Sequence, residues 1–278
     1  MLLILFAMNT HVNLPKWLDD LIFGKLGAKY CPSNSDMTVI DWDKNNVLNY
    51  LGTYFPRSYA EAYCIFCHLF QTQPNLFSQK EDLSIFDFGC GTGGEIIGLL
   101  DAITNNIPTI KRVNVKAFDG NRHALRLYER IFEEYKCHLN YEVKTQVVPL
   151  EIEDFYDLSV LLSVLQDEFD LVMTFKAICE FVTKDRFEKQ NPYAHIVRNF
   201  IPKLKSEGLM VLDDVTTYNN VSQDWLPKMM DTGLTTVSNC QVLMRNEGYN
   251  QTFTVHHSNR DADVSKVAWR IIKKHISI

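Results

Sequence analysis

From about Ile85 onward the chain alternates short apolar runs with segments whose apolar residues recur every three or four positions, the pattern of a parallel sheet joined by crossover helices. Ser84 to Phe88 reads as a buried strand, and Ile96, Ile97, Leu99, Leu100 and Ile103 give the helix after it an apolar face. Val113 to Phe118 is the second strand. The next helix carries Ala124, Leu125, Tyr128, Ile131, Phe132 and Tyr135 on one stripe, with Arg122, Arg126 and Arg130 among glutamates on the outside, a solvated salt-bridged face. Val143 to Val148 and Phe169 to Thr174 supply strands three and four. Asn191 and Pro192 form an N-cap and first-turn pair for a further helix, expected to close at Gly208 before strand five, Leu209 to Leu212. Three β-like runs remain: Thr235 to Met244, Gln251 to His257 and Lys266 to Lys273. A seven-stranded sheet takes only two, so one is an addition or an edge strand.

The first 80 residues read differently. Trp17, Leu18, Leu21, Ile22 and Phe23 lie near one face of a helix over Pro15 to Leu26, and Ser58 with Glu61 three residues later forms a candidate capping box. The helix it would start carries Tyr59, Ala60, Tyr63, Cys64, Cys67 and Phe70 on one stripe. We expect residues 1–80 to form a helical N-terminal extension, a lid or acceptor-site wall, packed on a domain of residues 81–278.

Charge and cysteine usage narrow the classes. A formal charge of −6 gives no general pull toward phosphate backbones, and seven scattered cysteines do not make a disulfide framework. The opening run MLLILFAM lacks a basic flank and is too short to span a bilayer, so the expectation is a cytoplasmic protein with no membrane partner.

The chemistry concentrates in IFDFGCGTGGE, Ile85 to Glu95, a strand ending at Asp87 and then glycines opening a helix. Glycine allows the backbone to turn sharply and a ligand to approach without Cβ atoms in the way. Gly89, Gly91 and Gly94 alone satisfy the dinucleotide pattern, which keeps a nicotinamide or flavin protein open. Asp87, two residues before the first glycine, suits a ligand with a cationic end, and Asp119, closing the second strand, can accept both hydroxyls of an adenosine ribose. At these residues the sequence resembles the class I S-adenosylmethionine-dependent methyltransferases, over about 190 residues.

That resemblance implies a Rossmann-like α/β sheet of seven strands and S-adenosyl-L-methionine as cofactor. It implies cofactor contacts from Asp87, Gly89, Cys90, Gly91 and Gly93, from Asp119 with the adjoining Gly120 and Asn121, from Leu150 and Glu151 after strand three, and from Thr174 and Phe175 after strand four. Acceptor contacts would come from the segment Thr174 to Phe181. A narrower resemblance, in YLGTYFPRSYAEAY (Tyr50 to Tyr63) and TFKAICEF (Thr174 to Phe181), is to the methyltransferase-like family associated with assembly of the mitochondrial small ribosomal subunit. Pro56, Ser58, Tyr59 and Glu180 hold its places. The cysteine cluster of many members is lacking, with Cys137, Cys179 and Cys240 dispersed beyond Cys90.

Glu180, Asp213 and Asp214 are the candidate catalytic carboxylates, the latter two at the carboxyl edge of strand five where open α/β sheets bind ligands. Tyr59 is a candidate cofactor contact, and Arg57 beside it could clamp the cofactor's carboxylate. Lys176 and Glu180 would meet if their segment is helical. Strand alternation turns only one of His256 and His257 inward. CIFCH, Cys64 to His68, matches a haem-attachment pattern but reads better as buried helix cysteines, and no metal site is evident. The resemblance implies methyl transfer; the acidic balance and the N-terminal helical lid favour a small molecule or peptide as acceptor, with ribosomal RNA, or a ribosome assembly role without catalysis, as alternatives.

Overall fold

The computed structural model describes residues 8–32, 44–181, 190–219 and 223–275, which leaves Met1 to Ala7 of the opening apolar run outside the described residues. In chain order the elements are β1 (His11–Asn13), α1 (Lys16–Asp19) continued by a π-helical turn (Asp20–Lys25), α2 (Lys44–Thr72), β2 (Asp82–Phe88), α3 (Gly94–Asn106), β3 (Arg112–Asp119), α4 (Arg122–Tyr135), β4 (Glu142–Pro149), α5 (Ser159–Val164) and β5 (Phe169–Phe175). Then follow α6 (Ile178–Phe181), α7 (Pro192–Phe200), β6 (Leu204–Val215), a short hairpin of β7 (Tyr218–Asn219) and β8 (Asp224–Trp225), α8 (Leu226–Thr235), β9 (Cys240–Arg245), β10 (Gln251–His257) and β11 (Arg260–Lys274).

One sheet organises them in the order β1-β10-β11-β6-β5-β2-β3-β4. The strands β6, β5, β2, β3 and β4 are mutually parallel, while β11 runs antiparallel between β6 and β10. This is the Rossmann-like seven-strand arrangement, extended by β1 beside β10 and by β9. The extra run is an edge strand: β9 and β10 share one side of β11, β9 pairing Arg270 to Lys274 and β10 the half before it.

Alternation along the buried strands feeds two cores. Leu83 and Ile85 of β2 face α2, α3 and α4, whereas Phe86 and Phe88 face α5, α7 and α8. Two of the expected boundaries move. The helix read as starting at Ser58 begins at Lys44, so Pro56 lies inside it. The helix expected to run to Gly208 ends at Phe200, a short 3-10 turn follows, and β6 begins at Leu204, with Gly208 inside the strand.

Helix α2 belongs to the first core, through Leu51, Phe55, Ile65, Phe66 and Leu69. Its seat on α3 depends on Gly94 and Gly98, where a Cβ would collide with the backbone carbonyl oxygens of Phe55 and Tyr59. Small residues four apart let two helix backbones approach closely. Among the described residues no helix is long and apolar enough to cross a membrane.

Candidate active site

The strand-turn-helix from β2 to α3 builds the floor. Gly89, Gly91 and Gly93 hold φ of 77°, 48° and 83°, a left-handed region that side chains disfavour. The amides of Gly89 and Cys90 donate to the Phe118 carbonyl at 2.9 Å, tying the turn to β3. Asp119 completes it: one carboxylate oxygen accepts from the Gly91 amide at 2.8 Å and the other from the Asn121 amide at 2.7 Å. Each oxygen keeps a further lone pair, as ribose hydroxyls would require. The space beside the glycines is taken up by protein at Gly89 and Gly93, where a Cβ would strike Ala177 and the Tyr128 ring; at Gly91 it would meet the Tyr50 hydroxyl at 2.9 Å.

The electrostatics of this floor are acidic. Asp87 is fully buried at the end of β2, its carboxylate oxygens have no hydrogen-bond partner, and Glu95 in the first turn of α3 is 4% exposed. Burial, then the neighbouring Glu95, pushes the Asp87 carboxyl well above the ordinary carboxylate range. Burial likewise raises Glu95 to about 8, opposed by hydrogen bonding and by Lys176. Asp119 is also raised by desolvation, against its two amide hydrogen bonds. Tyr50, Asp119 and Glu180 are likewise raised by desolvation although each keeps some solvent exposure.

At the ends of β5 and β6 the chain departs from two local expectations. Lys176 has φ 53°, its amide donates to the Asp213 carbonyl at 2.8 Å, and its ammonium donates to Glu61 of α2 at 2.5 Å. Burial opposes the ammonium, but Glu61 and Asp213 outweigh it and raise the Lys176 pKa. Glu61 is therefore a buried ion-pair partner in mid-helix and not a cap, and Lys176 pairs with it and not with Glu180. Glu180 stands exposed in α6 past the end of β5, its carboxyl pushed up by desolvation and then by Asp119 and Asp214.

Asp213 and Asp214 face opposite sides of the sheet. Asp213 lies on the α2 side, buried without a hydrogen-bond partner, its pKa raised by desolvation and then by Glu61. Asp214 accepts from the Tyr193 hydroxyl at 2.9 Å, the Cys179 amide at 3.1 Å and the Val215 amide at 2.8 Å, and burial leaves it at about 6. Asp214 thus holds α6 and α7 to the strand end. Among the described residues no group of three or more His, Cys, Asp or Glu is arranged to hold a metal ion.

Of the other expected contacts, Gly120 lies beside Leu150 and Glu151, 3.6 Å separating its Cβ position from the Leu150 carbonyl oxygen and the Glu151 Cα. The Asn121 side chain caps α4 by accepting from the His123 and Ala124 amides at 2.9 Å. Cys90, Thr174 and Phe175 are buried at the strand ends, and Phe175 packs near Phe66. The Tyr59 hydroxyl donates to Asp101 of α3 at 2.7 Å, within the helical layer. Arg57 is held by Asp263 of β11 at 2.7 Å, and the inward histidine, His257, stacks on Phe23 beside that pair. Cys64 and Cys67 are free thiols within α2.

The residues that sequence reasoning missed are Tyr50, Glu61 and Glu95. Glu95 had a signal, since an acid directly after the last glycine of such a turn opposes phosphate binding. Tyr50 had only its spacing with Tyr54, one helical turn on.

No family model matches the chain and no curated protein matches it. Among solved structures it is similar to a candidate class I S-adenosylmethionine-dependent methyltransferase from Listeria monocytogenes, at 13% identity and a TM-score of 0.46, over 80% of this chain and 60% of that one. It is similar to a candidate RNA methyltransferase from Pyrococcus horikoshii at 11% identity and a TM-score of 0.45, over 94% and 100%. An rRNA methylase from Streptococcus thermophilus aligns at 9% identity and a TM-score of 0.44, over 74% and 96%.

Proposed function

We propose that the chain is an S-adenosylmethionine-dependent methyltransferase of the class I type. One observation carries the reading: the glycine turn is backed by the carboxyl groups of Asp87, Glu95 and Asp119. A nicotinamide dinucleotide would bring two phosphate charges to this turn, beside which the buried carboxyls could only stay protonated. A ligand with a sulfonium and an ammonium instead favours their ionised form.

The residues fit such a cofactor. Asp87 stands buried behind the turn where a cationic group would lie, Asp119 would accept the ribose hydroxyls, and Gly120, Leu150 and Glu151 would frame the adenine. When bound, S-adenosylmethionine supplies a methyl on positively charged sulfur, taken by the acceptor's lone pair as the carbon–sulfur bond breaks and its electrons return to sulfur. The chain's part is alignment, which can be worth about 7 to 11 kcal/mol of barrier, and removal of the acceptor's proton. Of the carboxyls past the ends of β5 and β6, Asp213 and Asp214 are buried and Glu180 has solvent access and a raised pKa, which suits it to accept that proton. Asp213 stands behind it through Lys176, and Asp214 positions the loop. Helix α2 of the N-terminal extension walls the acceptor side, and the acceptor is a small molecule or peptide.

Calorimetry tests the first step. The chain should bind S-adenosylmethionine and show no binding of nicotinamide dinucleotides, and the reverse result overturns the reading. Methyl-label assays on metabolites, peptides and RNA then decide the acceptor. Cofactor binding without transfer to any of them, together with co-sedimentation on ribosomal particles, would instead support an assembly role.

A further inference from the structure

Lys176 holds φ 53° directly after β5, a conformation that a side chain with a Cβ keeps only where its surroundings fix it. Here they do. Its amide donates to the Asp213 carbonyl at 2.8 Å, its carbonyl accepts from the Cys179 thiol at 3.3 Å, and its ammonium donates to Glu61 at 2.5 Å. The side chain is 13% exposed, and a lysine this deep needs a charged partner. The backbone conformation thus turns the ammonium inward, against α2.

The acids around the ammonium outnumber it. Glu61 of α2, Asp213 of β6 and Glu95 of α3 each act on Lys176 electrostatically, and Glu180 and Cys179 of α6 and Tyr54 of α2 feel it in turn. Both Asp213 oxygens and Oε1 of Glu61 are buried with no hydrogen-bond partner. Arg57, one turn before Glu61, is committed to Asp263. Among the described residues that act on Glu95, Asp213 and Glu180, Lys176 is the only cation. Buried acids without other partners depend on the one positive charge that reaches them.

These acids belong to different parts of the site. Glu95 lies behind the glycine turn, Glu61 comes from the N-terminal extension, and Glu180 stands four residues after Lys176, its amide donating to the Ala177 carbonyl at 3.1 Å. We propose that Lys176 is a positioning residue: its buried ammonium, shared among Glu61, Asp213 and Glu95, ties the glycine turn and the segment bearing Glu180 to helix α2. A change of charge at the turn is then felt at Glu180 through one ammonium. The proposal rests on the methyltransferase reading only for the use made of Glu180.

The ligand-free chain tests this without turnover. Lys176→Met alone strands buried carboxyls, so the informative variant is Lys176→Met/Glu61→Gln, which removes both charges of the pair at nearly constant volume, a replacement that buried ion pairs tolerate. Glu95 then loses the cation that opposes its raised pKa, and the alkaline fall of the melting temperature should move up by roughly half a pH unit or more. Glu61→Gln alone keeps the ammonium, with Asp213 left to accept from it, and should leave the fall where the parent has it. Equal curves for parent and double variant overturn the proposal, as does a Glu61→Gln curve displaced as far as that of the double variant. A double variant that does not fold also overturns it, since the pair would then be a staple of the fold alone. Where a methyl-label assay records transfer, the acid limb of the pH–rate profile should move up in the double variant, because Lys176 holds the Glu180 carboxyl down; a limb left in place overturns the link to Glu180. A displaced melting curve in a chain that binds no S-adenosylmethionine would sustain the role of Lys176 and overturn the methyltransferase reading.

Discussion

The carboxyl pair behind the glycine turn makes stability and ligand binding depend on pH in a direction opposite to that of most salt-bridged acids. Glu95 is raised from 4.5 to about 8 by burial, so the folded chain holds a proton that the unfolded chain has released by neutral pH. The group therefore does not weaken the fold below about pH 4.5, and stability falls as pH rises through 8. At 1.36 kcal/mol per unit this difference amounts to roughly 5 kcal/mol as an upper bound, with Asp87 moving in the same direction. Lys176 opposes the shift, and Asp119 adds to it.

A cationic ligand on the turn favours the ionised carboxylate, so binding should expel a proton near pH 7. Calorimetric titration in buffers of different ionisation enthalpy counts that proton. The ligand-free melting temperature should fall between pH 6 and 8.5, and saturating S-adenosylmethionine should flatten the fall. Glu95→Gln should melt higher than the parent at pH 8.5, lose most of the pH dependence and release less proton on binding. A ligand-free melting temperature that is level from pH 6 to 8.5, with a binding enthalpy independent of buffer, would refute the reasoning.

Asp119→Ala should weaken cofactor binding by about 1 to 3 kcal/mol, the scale of hydrogen bonds to a charged acceptor, and should lower the melting temperature because the Gly91 and Asn121 amides lose their acceptor. Glu180→Gln should leave cofactor affinity near the parent value and slow turnover by a factor of about 10² to 10⁴ in a methyl-label assay. Arg57→Ala strands the fully buried Asp263 carboxylate, and chemical denaturation should record a loss of roughly 3 kcal/mol or more, with cofactor affinity unchanged. Gly98→Ala sets a methyl against the Tyr59 carbonyl oxygen, and the same measurement should show a loss of about 1 to 3 kcal/mol.

The parallel strands were legible because a strand covered on both faces is a nearly continuous apolar run, and each bounded run fell within a residue or two of β2 to β5. The glycine turn and Asp119 were legible for the same local reason: positive φ and a strand-end acid leave marks in a few adjacent residues. The start of α2 was not. Asn45, Asn46, Asn49 and Gly52 are weak helix formers and Pro56 is a breaker, yet packing on α3 overrides them. Once the helix start is misplaced, Glu61 reads as a cap although it pairs with Lys176, and the bond of Tyr59 to Asp101 leaves no mark in the sequence. Asp213 and Asp214 looked equivalent in sequence, and strand alternation gives them different neighbours and different work.

The seam between α2 and α3 also bears on which genetic changes the chain can absorb. Gly94 and Gly98 are four residues apart, and the carbonyls they admit, of Phe55 and Tyr59, are four apart as well, so the two helices mesh like a pair of notches. Deleting or inserting one residue between Gly52 and Phe55 leaves the notches engaged but rotates everything before them by about 100°. Tyr50 would then leave Gly91, and Gly52 would leave the backbone of Lys29 against which it packs. The first half of α2 should therefore accept amino-acid exchanges on its outer side while rejecting any change in length, a frame of spacing that natural variants or a deletion scan would expose directly.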